Sequence, residues 1–180
     1  MNRKLKLEEL QRDSIEAFKK KKKNKIFIVL DNVRSLSNIG SIFRTSDAFL
    51  VEEILLCGIS ATPPNREITK TALGSTDSVE WKYFENTMGA IVYLKNKSCT
   101  CYALEQAENS IQLQDVIVGK TENVALVLGH EVKGVDQEVI NACDGCVEIP
   151  QFGTKHSLNV SASASIAIWE LWSKKQKAQQ

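Results

Sequence analysis

Asn123-Val-Ala-Leu-Val-Leu128, followed at once by Gly129-His-Glu-Val-Lys-Gly134, is the stretch on which the fold turns. An apolar run without polar alternation reads as a strand covered on both faces. A glycine-bearing turn directly after such a strand is where an α/β protein leaves room for a ligand. Ile26-Phe-Ile-Val-Leu30 is a second run of this kind, and Glu53 to Cys57, Ser98 to Leu104 and Cys146-Val-Glu-Ile149 are further strand candidates. Helical spacing marks Asn38 to Leu50, with Ile39, Ile42, Phe43, Phe49 and Leu50 facing the core, then Asn86 to Lys97, Asp136 to Ala142 and Leu158 to Ser173. Pro63-Pro64-Asn65 is a loop. Strands alternating with helices require crossovers, so the expected class is α/β, a mostly parallel sheet with helices on both faces.

The chain has 180 residues, 43 % hydrophobic and 25 % charged. That composition suits one ordinary domain and excludes collagen-like, coiled-coil and disordered classes. No run of 18 apolar residues is present, so no transmembrane helix is expected. The charged start, Met1 to Leu10, is not a secretory signal. A soluble cytoplasmic protein is expected. Residues 1–25 carry ten Lys/Arg against four Asp/Glu, whereas the whole chain has a net charge of only +1. A basic leader, with a helix from Leu5 to Lys23 striped by Leu7, Leu10, Ile15 and Phe18, thus precedes a mildly acidic body at 26–173 and a basic tail at 174–180. Such an arm meets a polyanion or serves solubility.

Five cysteines without a sign of export argue against a disulfide framework. Cys99-Thr-Cys101 and Cys143-Asp-Gly-Cys146 could offer four thiolates to zinc. The first pair alternates inside a strand, where cysteines act as small hydrophobes, and no metal is expected.

Three polar loops follow apolar strands. The first, Asp31 to Arg44, contains Asn32, Arg34, Asn38 and Gly40. Asn38 can cap the helix that follows. Gly40 and Arg44 lie one turn apart on one helix face, with Asp47 next along it. Arg44 there suits a phosphate approached over the glycine, or pairs with Asp47 in solvent. The second loop, Gly129 to Gly134, has the spacing of neither a phosphate-binding loop nor a dinucleotide turn. Glu131 could orient a hydroxyl or amine there, or stand solvated on a plain turn. The third, Pro150 to Asn159, holds the cap types Ser157 and Asn159 and a candidate base or surface residue, His156.

In order and spacing these loops resemble the motifs of the SpoU/TrmH family of RNA methyltransferases, in the SPOUT superfamily. Asn32, Asn38, Gly40 and Arg44 match the first motif, Gly129, Glu131 and Gly134 the second, and Ile149, Pro150, Ser157, Leu158, Asn159 and Ser161 the third. The likeness spans roughly Ile26 to Trp172. His130, Val132-Lys133 and Gln151 depart from the common pattern.

The resemblance implies S-adenosylmethionine as methyl donor, held around Leu104, Gly129, Ile149, Ser157 and Leu158 in a C-terminal trefoil knot. It implies transfer to a ribose 2′-hydroxyl, with Arg44 as the catalytic residue and Asn38, Glu131, Ser157 and Asn159 shaping the pocket. RNA is the implied partner. Transfer RNA is favoured over ribosomal RNA because the short chain has no separate recognition domain, so Lys19, Lys20, Lys21, Lys22, Lys23 and Arg34, with Lys174, Lys175 and Lys177, are its candidate contacts. A homodimer is also implied, and the final helix supports it. Leu158, Ala162, Ile166, Trp169 and Trp172 form one apolar stripe, and Val160, Ala164, Ala167 and Leu171 another. A helix apolar on two sides is buried on two sides. Competing readings are a non-catalytic RNA-binding dimer of the same fold, a base methyltransferase and, from the cysteines, a metal protein.

Overall fold

The computed structural model describes residues 2–178; Met1, at the head of the leader, and Gln179 and Gln180, at the end of the tail, lie outside the described residues. Each strand-type run of the sequence becomes a strand. In chain order the strands are β1 (Ile26–Asp31), β2 (Glu53–Cys57), β3 (Trp81–Phe84), β4 (Cys99–Leu104), β5 (Ile111–Gln112), β6 (Asn123–Leu128) and β7 (Gly145–Glu148). Among the described residues they form one sheet, ordered β3-β2-β1-β6-β4-β7-β5, with every neighbouring pair parallel. β3 and β5 escape the sequence reading because β3 is a half-exposed edge strand and β5 has only two residues.

The helices are α1 (Ile15–Lys20), α2 (Leu36–Ala48), α3 (Arg66–Ala72), α4 (Ser75–Ser78), α5 (Thr87–Asn96), α6 (Gln137–Ala142) and α7 (Val160–Lys177). Alternate residues of each strand serve opposite faces. Ile26, Ile28 and Leu30 of β1 pack with Ile39, Ile42 and Phe43 of α2 and Ala164, Ala167, Ile168 and Leu171 of α7. Phe27 and Val29 pack on the other side with Ala90, Ile91 and Leu94 of α5 and Val139 of α6, together with Cys99 and Cys101. The sheet is therefore covered on both faces, as its unbroken apolar runs require. No helix among the described residues is long and apolar enough to cross a membrane.

Gly40 has a different use from the one its sequence position suggests. A Cβ there would lie 2.0 Å from Thr71 Oγ1 and 2.4 Å from the Ile68 carbonyl oxygen, so the glycine lets α3 cross α2 closely. Its open space is taken by α3, not left for a phosphate.

The leader departs from the single helix expected. A 3₁₀ turn (Leu7–Leu10) ends at Gln11 in the left-handed region, and Ser14 restarts the chain as α1, its hydroxyl accepting from Ala17 N–H at 3.2 Å. Phe18 is buried, whereas Leu10 and Ile15 are exposed. Short helices without an apolar face to bury are marginal, which accounts for the break. At the other end α7 runs on to Lys177, so the start of the expected tail is helical. Lys175 is buried, its ammonium donating to the carbonyls of Gly119 (3.1 Å) and Glu122 (2.6 Å). Lys174 donates to the Gln114 carbonyl and pairs with Glu170. These two lysines clamp the last helix to the body, and Lys175, being buried, is withdrawn from the set of RNA contacts.

Candidate active site

At the carboxyl ends of β4, β6 and β7 the sheet opens into a cleft of about 690 Å³. All five residues expected around a cofactor line it: Leu104 from the end of β4, Gly129 from the turn after β6, and Ile149, Ser157 and Leu158 from the segment between β7 and α7. Glu131 and Asn159 line it as well.

The Gly129–Gly134 turn is a tight hairpin. His130 N–H donates to the Gly134 carbonyl at 3.0 Å, and Gly134 N–H returns to the His130 carbonyl at 2.8 Å. A Cβ on Gly129 would fall 2.1 Å from the Gly134 carbonyl carbon. Gly134 has φ +71°, and a Cβ there would meet Glu105 Oε2 at 2.1 Å. Gly129 is demanded by backbone closeness, Gly134 by its positive φ and the Glu105 carboxylate beside it. His130 Nδ1 accepts from Val132 N–H at 3.0 Å, so this ring shapes the hairpin from within.

Glu131 ties the hairpin to the first loop. Its carboxylate accepts from Arg34 N–H (3.0 Å), Ser35 N–H (2.8 Å) and Asn38 Nδ2 (3.1 Å). Burial works against its ionisation, but these donors outweigh it and hold the carboxyl below the usual glutamate range. Asn38, itself buried, accepts at Oδ1 from Asn159 Nδ2 at 3.1 Å. Asn159 Oδ1 in turn accepts from the N–H groups of Ser161 (2.9 Å) and Ala162 (3.3 Å), capping α7. The capping role open to Asn38 falls instead to Ser35, whose hydroxyl accepts from Asn38 N–H at 3.3 Å. Ser157 faces the cleft, and the cap of α7 belongs to Asn159 alone of the two candidates.

Arg44 stands apart. It is exposed on α2 and is not part of the cleft lining. Asp47 does not pair with it; its carboxylate takes the Ser78 hydroxyl instead. In the leader, Lys21 is paired with Asp13, and Lys23 lies 3.5 Å over the Phe18 ring, where burial lowers its pKa. Lys19, Lys20 and Lys22 are exposed. They precede β1 and so sit toward the amino ends of the strands, away from the cleft of their own chain.

Two supporting carboxylates were missed in the sequence. Glu105 Oε2 accepts from Val135 N–H at 3.1 Å, pinning the exit of the hairpin. Asp31, buried at the end of β1, accepts from Asp136 N–H at 3.0 Å and from the Thr87 hydroxyl. Each stands at the carboxyl end of a parallel strand, and that position was the signal available.

The SpoU rRNA Methylase family matches residues 25–169. A tRNA (guanosine(18)-2′-O)-methyltransferase of Thermus thermophilus is 29 % identical over 170 residues, 94 % of this chain and 86 % of its own. A TrmH/SpoU tRNA modifying enzyme of A. aeolicus superposes with a TM-score of 0.79 at 25 % identity, over 92 % of this chain and 82 % of that one. An AdoMet-bound rRNA methyltransferase from Sinorhizobium meliloti does so with a TM-score of 0.76 at 26 % identity, over 83 % and 56 %. The match takes in every strand and all three loops, and the chain belongs to the SpoU rRNA methylase family.

Proposed function

We propose that the protein methylates a ribose 2′-hydroxyl of RNA, with transfer RNA as its substrate and S-adenosylmethionine as its cofactor. One observation carries the reading: the bonded series Glu131–Asn38–Asn159 locks the three loops together at the edge of a single cleft. The cleft fits the cofactor. Leu104, Leu128, Ile149 and Leu158 offer apolar wall for an adenine ring, and Gly129 leaves the backbone open to close approach. When bound, the cofactor supplies an electrophilic methyl group. The same segments support a C-terminal knot, because β7 inserts between β4 and β5, both of which precede it in the chain.

A ribose hydroxyl is a weak nucleophile, so the protein must align it and stabilise charge as its proton leaves. Glu131 is committed to backbone N–H groups, which suits it to hold the loop rather than to collect a proton. Arg44 acts as a cation. A guanidinium is not deprotonated in proteins, so this side chain does not serve as a base. Charged, it holds a neighbouring phosphate and stabilises the developing alkoxide.

The protein works as a homodimer. Ile166 and Trp169 of the α7 stripe are 42 % and 51 % exposed in a single chain. Phe49 of the α2 end packs on Trp169 and Trp172, with ring centroids 5.5 Å away. Thr45 and Ser165, 3.0 Å apart, join the two helices beside Arg44. A second copy seated on this stripe covers it and carries Arg44 to the partner's cleft. Lys19 to Lys23 and Arg34 serve RNA phosphates, with Lys19, Lys20 and Lys22 the least engaged within the chain. The place of action is the cytoplasm.

The test is transfer of labelled methyl from S-adenosylmethionine to total RNA, followed by size separation, for wild type and Arg44→Ala. Label confined to transfer RNA and lost in the variant is the expected result. Label in ribosomal RNA would move the substrate, and no label with cofactor bound would favour a binding-only protein.

A further inference from the structure

We propose that Phe152 and Val132 form a stacking platform for an unpaired base of the substrate at the mouth of the cleft, an assignment that rests on RNA as substrate. Phe152 is 95 % exposed and Val132 86 %. An aromatic ring so open to water takes little part in the packing of its own chain and is free to meet a ligand.

Val132 lines the cleft, and Phe152 follows Gln151, which lines it. Lys133 lines it from the same hairpin, where Val132 N–H is held by the His130 ring. Ser157 lines it from the third loop, where Gln106 Nε2 grips the His156 carbonyl at 2.8 Å. Two loops thus bring the apolar side chains to the rim of one cleft.

The chemistry around it identifies the occupant. Lys133 adjoins Val132, and Lys155 and His156 follow Phe152, all of them outside the body's ion pairs. Apolar surface interleaved with cations recognises an unpaired base and its flanking phosphates. Glu105, Glu131 and Glu148 line the cleft itself, the first two taken up by loop N–H groups, and Glu85, Asp136 and Glu138 line the neighbouring cavity of about 380 Å³, so Lys133 and Lys155 are the cations these loops offer a phosphate. A second copy is already provided for by the separate α7 stripe.

The experiment measures binding of a labelled, unmodified transfer RNA transcript over a range of salt for wild type, Phe152→Ala, Phe152→Trp and the double variant Lys133→Ala/Lys155→Ala. Cofactor affinity and sedimentation are followed in parallel. Phe152→Ala should weaken RNA binding about tenfold, the scale of one lost base stack, without changing the salt slope. Phe152→Trp should restore it, and the double lysine variant should lower the slope. Cofactor affinity and dimer mass should not move in the Phe152 variants. RNA affinity unchanged in Phe152→Ala, or a loss traced to cofactor binding or to dissociation, overturns the platform and leaves the methyltransferase reading intact. Wild type that neither binds nor methylates RNA overturns both.

Discussion

Asn159 Nδ2 donates to Asn38 Oδ1 at 3.1 Å, so two residues 121 positions apart share one hydrogen bond at the edge of the cleft. Each has a second duty, Asn38 toward Glu131 and Asn159 toward the amino end of α7. Stability and site geometry therefore pass through the same amides.

Asn159→Ala should cost about 1 kcal/mol through the lost cap. Asn159→Asp keeps the capping oxygen and removes the donor to Asn38. Thermal unfolding should show the aspartate variant the more stable of the two, while methyl transfer falls in both. Aspartate with full activity would mean that the bridge to Asn38 has no part in the reaction.

Glu131 gives the site a dependence on acid. Its carboxyl sits below the ordinary range in the folded protein, so its contribution is fully present above the unfolded value and fades as pH falls through the lowered one. Wild type should unfold at a higher temperature than Glu131→Gln at neutral pH. The gap should narrow as pH falls below 4. A gap that stays constant would show that the charge is not what holds Arg34 and Ser35.

The two critical glycines should fail in different ways. Gly40→Ala forces α3 away from α2 and should destabilise the protein by about 1–3 kcal/mol, the usual cost of overpacking, seen as a lowered Tm. Gly129→Ala opens the hairpin, which should abolish cofactor binding by calorimetry with a smaller loss of Tm. The opposite assignment of effects would place the close helix crossing and the ligand cleft wrongly.

Arg44→Lys should lower methyl transfer about a hundredfold or more with the melting temperature unchanged, because lysine lacks the planar fork. The proposed exchange of Arg44 between copies has its own check. Inactive Arg44→Ala and inactive Gly129→Ala, mixed equally and allowed to exchange, should recover about a quarter of wild-type turnover, since half the dimers then hold one intact site. No recovery from mixtures proven to exchange would place Arg44 in the cleft of its own chain.

The sheet was legible because β1, β2 and β6 are buried on both sides and so show unbroken apolar runs; β2 and β6 begin and end where the sequence placed them. α3 and α4 were not legible. They are short and polar, started by Asn65 and Gly74, and are held by packing against α2 that no local pattern encodes. The residues that the family resemblance puts around the cofactor do line the cleft at the ends of β4, β6 and β7, but the motifs and not the periodicity pointed to them. What periodicity does not carry is partner choice: that Glu131 takes Arg34 N–H, that Ile68 fills the space over Gly40, or that Lys175 turns inward to Glu122.

The Asn38–Asn159 bridge also bears on the order in which the site comes into being during synthesis. The first loop emerges early, yet its side-chain partner is made 121 residues later. A nascent chain can pair β1 with β2 long before it owns the residue that completes Asn38. Fragments and ribosome-bound precursors lacking α7 thus possess the basic arm and part of the sheet without a finished cleft, which closes only when the last helix has been made.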